Sequence, residues 1–231
     1  MSNSLKVGLG IITVGKRALP NYHLADEYVL KVFTDSEKKG PAFARNSLSK
    51  EFYDEGYDYW VIMDDDVLIT QPSHAQMLKE MTDVAHKGNW DMFISPEYFR
   101  DKIKCAHQNG EVLEWEGGAF TQWMMISPKV VDTIGYMPIL KYGYGYEDGL
   151  YIEQMRQAQR EGKLNNGIDG VLMPAKMLAF IHPTDMFGDN TTSFHNMSAE
   201  EKLSQSKGNW DEYLIRREDI LKGNIYCPFE E

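Results

Sequence analysis

Residues 57–66 read Tyr-Asp-Tyr-Trp-Val-Ile-Met-Asp-Asp-Asp, and this stretch decides the fold. Tyr57 to Met63 reads as a strand, and three carboxylates follow it immediately. Left desolvated and unpaired, such a triplet would cost several kcal/mol. At the carboxyl end of a parallel strand it opens instead into the crevice where α/β sheets bind ligands. Successive residues of an extended segment point to opposite sides, so Asp64 and Asp66 share one side and Asp65 takes the other. Two carboxylates on one side suit a hard divalent cation, Mg²⁺ or Mn²⁺, that keeps positions for phosphate oxygens. The same triplet also reads as an acidic turn with one aspartate capping a helix, so its surroundings have to decide.

Upstream, Lys6 to Val14 is a nearly continuous apolar, β-branched run ending at Gly15, and Tyr28 to Phe33 is a second strand closed by Thr34-Asp35-Ser36. After the turn Lys38-Lys39-Gly40-Pro41, residues 42–53 have helical character, with Ala44, Leu48 and Phe52 on one face. Downstream, Pro72 to His86 is a helix, Trp90 to Ser95 a strand, and residues 97–115 loops or a small hairpin. Residues 119–127 form a mixed segment, followed by a short helix from Pro128 to Ile134. Gly143-Tyr144-Gly145-Tyr146 is an aromatic loop leading into a helix from Glu147 to about Glu161. Met173 to Ile181 reads as one last short strand, residues 185–198 as a lid or loop, and Ala199 to Lys222 as an amphipathic helical tail. Alternating strands and helices predict an α/β fold with a mostly parallel sheet flanked by helices. The division expected is a domain over 1–182 and a loop and helical extension over 183–231.

Composition narrows the classes. The 231 residues suit one generous α/β domain or one with a terminal extension, and 42% hydrophobic content is enough for a core. No stretch approaches the roughly 20 apolar residues of a membrane span. The N-terminal run lacks the basic character of a signal peptide, which predicts a cytoplasmic protein. Cys105 and Cys227 suggest neither a disulfide framework nor a zinc site. A net charge of −11 argues against a broad electrostatic grip on nucleic acid or anionic membrane. Part of that excess belongs where a cation binds.

The second acidic constellation is Glu147-Asp148, two carboxylates at a helix start, where the helix dipole favours them in any case. Taken in order, Gly40 with Ala44-Arg45-Asn46, the aspartate triplet, Glu147-Asp148, Arg156, Pro174 and His182 resemble the GT-A glycosyltransferases, particularly the family-2-like branch. The resemblance runs from Leu5 to His182. It implies a GT-A, Rossmann-like fold and transfer of a sugar from a nucleoside-diphosphate sugar, UDP-linked above all, to an acceptor hydroxyl.

On that resemblance Thr13, Val14, Gly15 and Arg17 cradle the nucleotide base, Asp35 approaches the base or ribose, and Arg45 belongs to the donor site. Asp64 approaches the ribose or the metal, Asp65 supports the donor site, and Asp66 binds the metal bridging the two phosphates. His182 completes the metal shell, with His195 as its rival. Gly117 and Gly118 let backbone approach the donor sugar, and Trp115, Tyr144 and Tyr146 face the acceptor. Asp148 is the base that deprotonates the acceptor hydroxyl, and Glu147 is its partner. Inversion follows from the Glu-Asp pair, with a retaining outcome still open.

Two rival functions predict different features. A nucleotidyltransferase would carry a glycine-rich phosphate loop after the first strand, of which Gly15-Lys16-Arg17 is a poor version. A non-catalytic sugar- or nucleotide-binding module would use the acidic clusters as cation sites only. The acceptor is either a saccharide, free or lipid-linked, or a hydroxymethylated base in DNA of the kind compact phage enzymes glycosylate. For DNA, Arg100, Lys102 and Lys104 would supply phosphate contacts. No obligate protein partner is implied.

Overall fold

The structure is a computed structural model and describes residues 5–15, 19, 21–22, 24–65, 68–71, 74–96, 107–109, 112–115, 119–165, 171–174, 179–181 and 198–230. Its central sheet has five strands in the order β2-β1-β3-β8-β5. These are β1 (Val7–Thr13), β2 (Tyr28–Thr34), β3 (Tyr59–Asp64), β5 (Met92–Pro96) and β8 (Ala119–Ile126). Strand β1 pairs in parallel with β2 and β3. Strand β8 lies antiparallel between β3 and β5. Four strands therefore run one way and one is opposed, an α/β architecture with a mostly parallel sheet.

Pleat alternation sorts the sheet's two faces into two cores. Ile12, Trp60 and Ile62 pack under helix α1 (Pro41–Asp54) with Leu48 and Phe52. Val7, Leu9, Ile11, Val61 and Met63 pack under helix α2 (His74–Gly88) with Leu78, Met81 and Ala85. On the α1 face, β1 carries glycine in place of a side chain. A Cβ at Gly8 would overlap the Phe52 ring, and one at Gly10 would come 3.0 Å from Leu48 Cδ1. The missing side chains let α1 settle directly on β1, which fixes where Arg45, one turn before Leu48, meets the sheet.

Two smaller sheets complete the strands. Strand β4 (Leu68–Gln71) pairs with β10 (Ala179–Ile181), and β6 (His107–Asn109), β7 (Val112–Trp115) and β9 (Val171–Pro174) form a second ladder. The hairpin expected within 97–115 is thus β6-β7. The single strand expected over 173–181 is instead two strands in different sheets. Pro174, which has no N–H to extend a ladder, closes the first.

Helices α3 (Pro128–Ile134) and α4 (Glu147–Arg160) follow the sheet, and α5 (Ala199–Leu221) opens with a capping box between Ser198 and Glu201. Helix α5 packs on α4, and Ile220 and Ile225 are buried in the α1-side core. The tail returns to α3, with Cys227 N–H donating to the Ile134 carbonyl at 2.9 Å and Tyr136 N–H donating to the Cys227 carbonyl at 2.8 Å. The C-terminal extension is therefore bound into the body of the protein. Among the described residues, no helix is long and apolar enough to cross a membrane.

Candidate functional site

The alternation that builds the two cores runs on into the acidic triplet and divides it. Asp64 continues the Trp60–Ile62 side and meets Arg45, whose Nη2 donates to Asp64 Oδ1 at 2.6 Å. Asp65 turns toward the other face, where the Thr13 hydroxyl donates to its Oδ2 at 2.5 Å. Its backbone N–H still donates to the Ile12 carbonyl at 3.1 Å, so the turn stays tied to β1. Nearby, the buried Tyr22 ring stands edge-on to His74 at 4.9 Å, and burial together with the Asp65 charge raises the Tyr22 phenol. Asp66 lies outside the described residues.

Arg45 is 5% exposed, and the Asp64 ion pair offsets much of the cost of burying its guanidinium. Its neighbour Asn46 fixes α1 against the chain leading to the catalytic candidates. Asn46 Nδ2 donates to the Met137 carbonyl at 2.8 Å, and Met137 N–H donates to Asn46 Oδ1 at 2.9 Å. Gly40, just before α1, has φ 112° and backs onto Gly143, whose carbonyl oxygen would lie 2.6 Å from any Cβ there. Only glycine combines that backbone with that approach. The turn before α1 and the aromatic loop before α4 are thereby in contact.

Glu147 and Asp148 open α4, Glu147 buried and Asp148 half-buried. Burial raises the Glu147 carboxyl first and the Asp148 charge second, to about 7, against the opposing pull of backbone amides and Arg45. Asp148 is also raised by burial, although Arg45 and the Gly149 N–H, which donates to Asp148 Oδ1 at 2.7 Å, work the other way. An acidic pair that merely served a helix N-terminus would be held low by the dipole. Here desolvation wins for both. The Tyr144 phenol is raised by burial and then by Glu147, Asp148 and Asp64 in turn. Arg45, Asp64, Tyr144, Glu147 and Asp148 thus share one electrostatic environment.

The remaining candidates fall in different places. Thr13 is buried and also accepts the Gly15 N–H at 3.0 Å, so Thr13, Val14 and Gly15 form a turn organised around Asp65. Asp35 is 2% exposed, and its carboxylate accepts the N–H groups of Lys39 and Gly40 at 2.9 and 2.8 Å. These bonds give Asp35 the work of closing the turn before α1. Tyr146 turns its ring into helix α5, 5.1 Å from Trp210 and 5.0 Å from Tyr213 between centroids. Trp115 ends β7 opposite Val171, and its side chain lies outside what is described. Arg17, Gly117, Gly118, His182, His195, Arg100, Lys102 and Lys104 also lie outside the described residues.

Sequence reasoning passed over Asn209. This fully buried side chain on α5 accepts the Tyr142 N–H at 3.0 Å through Oδ1. Its Nδ2 donates to the carbonyls of Tyr142, Tyr144 and Gly145 at 2.9, 3.1 and 3.1 Å. One residue therefore shapes the loop that presents Glu147 and Asp148. A signal was present, because Gly208-Asn209 places two poor helix formers in mid-helix.

Among the described residues, no group of three or more His, Cys, Asp or Glu side chains is arranged to hold a metal ion. The chemistry of the Asp64 carboxylate fits a hard cation.

No protein-family profile and no curated protein matches the chain. Among solved structures, that of A197 from STIV is similar over 56% of this chain and 69% of its own, at 15% identity and a TM-score of 0.38. A likeness that distant carries no functional argument.

Proposed function

We propose that the protein is a glycosyltransferase of GT-A type that moves a sugar from a nucleoside-diphosphate sugar to an acceptor hydroxyl with inversion. The observation that carries the reading is the meeting of Arg45, Asp64, Tyr144, Glu147 and Asp148 at one site, with both carboxyls of the pair raised by burial. A Glu147 carboxyl raised to about 7 retains its proton far above the ordinary carboxylate range, as a hydroxyl-orienting partner needs, and a helix-capping role gives no reason for it.

In this reading Asp148 takes the proton from the attacking acceptor oxygen while Glu147, held protonated beside it, orients that hydroxyl. The two carboxyls titrate as a pair, so loss of the proton from one holds the proton on the other. Arg45 pairs with Asp64 and lowers both carboxyls, which favours the ionised form a base requires. Thr13 and Asp65 close the turn at the end of β1, where the nucleotide base would lie. Asp64, with Asp66 and His182, would hold a divalent cation, which supplies compensation for the diphosphate charge.

Release of nucleoside diphosphate from a panel of nucleotide-sugars, with Mn²⁺ or Mg²⁺ present, tests the reading. Saturable release from one donor, strongest with UDP-sugars, is expected. Absence of release or transfer with every donor and acceptor would overturn it in favour of a non-catalytic binding module.

A further inference from the structure

We propose that Trp210, Tyr213 and Tyr146 form an aromatic platform on α5 and the α4 start that takes the apolar face of a hexopyranose ring, the acceptor sugar. The proposal rests on the glycosyl-transfer reading and assigns that reaction's acceptor class.

Three rings meet here. Trp210 stacks on Tyr213 with centroids 5.5 Å apart and planes 22° apart, and Tyr146 leans on both. The cluster is not closed, because Trp210 remains 44% exposed while Tyr146 and Tyr213 are partly buried against the core. An indole held by neighbours yet open to water is a preformed surface, with little ordering left to do when a ligand arrives.

Its position connects it to the carboxylates. Tyr146 is the residue immediately before Glu147 and sits in left-handed backbone at φ 73°, an unfavourable conformation for a tyrosine. The ring contacts with Trp210 and Tyr213 hold it there. On the other side of the acidic pair, a Cβ at Gly149 would come 3.5 Å from Tyr213 Cε2, so the platform meets the chain on both sides of Glu147-Asp148.

That combination selects a ligand class. A hexopyranose carries C–H groups on one face, which complement the electron-rich face of an aromatic ring, and hydroxyls around its rim, which complement carboxyls. A nucleobase would also stack, but it brings a phosphate backbone to a chain of net charge −11 and to an acidic pair. The neutral sugar is favoured.

The test titrates the protein with methyl hexopyranosides and follows the indole N–H resonance of Trp210, identified by its loss in Trp210→Phe. The proposal expects one or more glycosides to shift this resonance saturably. Trp210→Ala, read by calorimetry, is expected to weaken that glycoside's binding about tenfold or more, and Trp210→Phe less. An unshifted resonance with every glycoside, or unchanged affinity in Trp210→Ala, would overturn it. So would a resonance that shifts only with an oligonucleotide, or a dimer that dissociates on Trp210→Ala.

UDP binding, measured alongside, separates the two claims. Glycoside binding at Trp210 without any nucleotide binding would leave the platform standing and defeat the transferase reading. Nucleotide binding and donor turnover with an inert Trp210 would do the reverse.

Discussion

Arg45 on α1 and Asp64 at the end of β3 form a largely buried ion pair at 2.6 Å, and the same guanidinium lowers both Glu147 and Asp148. Asp64 belongs to the sheet, Arg45 to the helix packed on it, and the acidic pair to α4. One cation therefore links two consecutive elements, α1 and β3, to α4, which lies far along the chain.

Replacing Arg45 with Met breaks the ion pair at Asp64 and removes a lowering influence that the two carboxyls share. Breaking a buried pair in this way costs about 3 kcal/mol, which urea denaturation would register. The pH dependence of any turnover should also move upward, since both carboxyls ionise later without the guanidinium. An unchanged pH profile would separate Arg45 from the pair.

Glu147 makes the folded state prefer the protonated carboxyl. Its folded value of about 7 lies above the ordinary 4.5, so stability is fully present below 4.5 and declines as pH rises through 7. Glu147→Gln removes that dependence. The variant should match the parent below pH 4.5 and exceed it well above pH 7, by on the order of 2–3 kcal/mol. Thermal melts across this range check it, and equal stabilities at high pH would refute the buried, raised carboxyl.

Asn209→Ala removes the four hydrogen bonds that tie the 142–145 loop to α5. The expected loss is about 2–4 kcal/mol. Amide exchange should quicken in that loop while the amides of β1 stay protected. Uniform exchange across both would show that Asn209 serves the whole fold and not the loop.

Gly8→Ala tests the packing that carries Arg45 to the sheet. The added methyl overlaps Phe52, so α1 has to lift or the ring has to leave its place. A cost of about 2 kcal/mol or more is expected, with Phe52→Leu in the same chain recovering part of it.

The strands and helices around the acidic triplet were legible because their residues are local. The run Lys6–Val14 and the Ala44, Leu48, Phe52 spacing state burial directly, and the structure buries Val7 to Thr13 of the run and all three of the helix residues. What sequence could not show was pairing. Residues 119–127 read as mixed because nothing local says that β8 inserts antiparallel between β3 and β5. The β4–β10 ladder joins segments too short and too distant to announce each other. At the site, strand alternation placed Asp64 and Asp65 on opposite sides, as found. The amide bonds of Asp35 and the packing of the Tyr146 ring depend on turns and on α5, which no spacing encodes.

The central claim is that Asp148 removes the acceptor's proton. Asp148→Asn keeps the shape of the side chain and takes away its basicity, so the decisive measurement compares donor binding with sugar transfer in this one variant. Donor affinity should be unchanged and transfer should fall by about 10²–10⁴-fold. Transfer retained at near-parental rate, with donor still bound, would contradict the account.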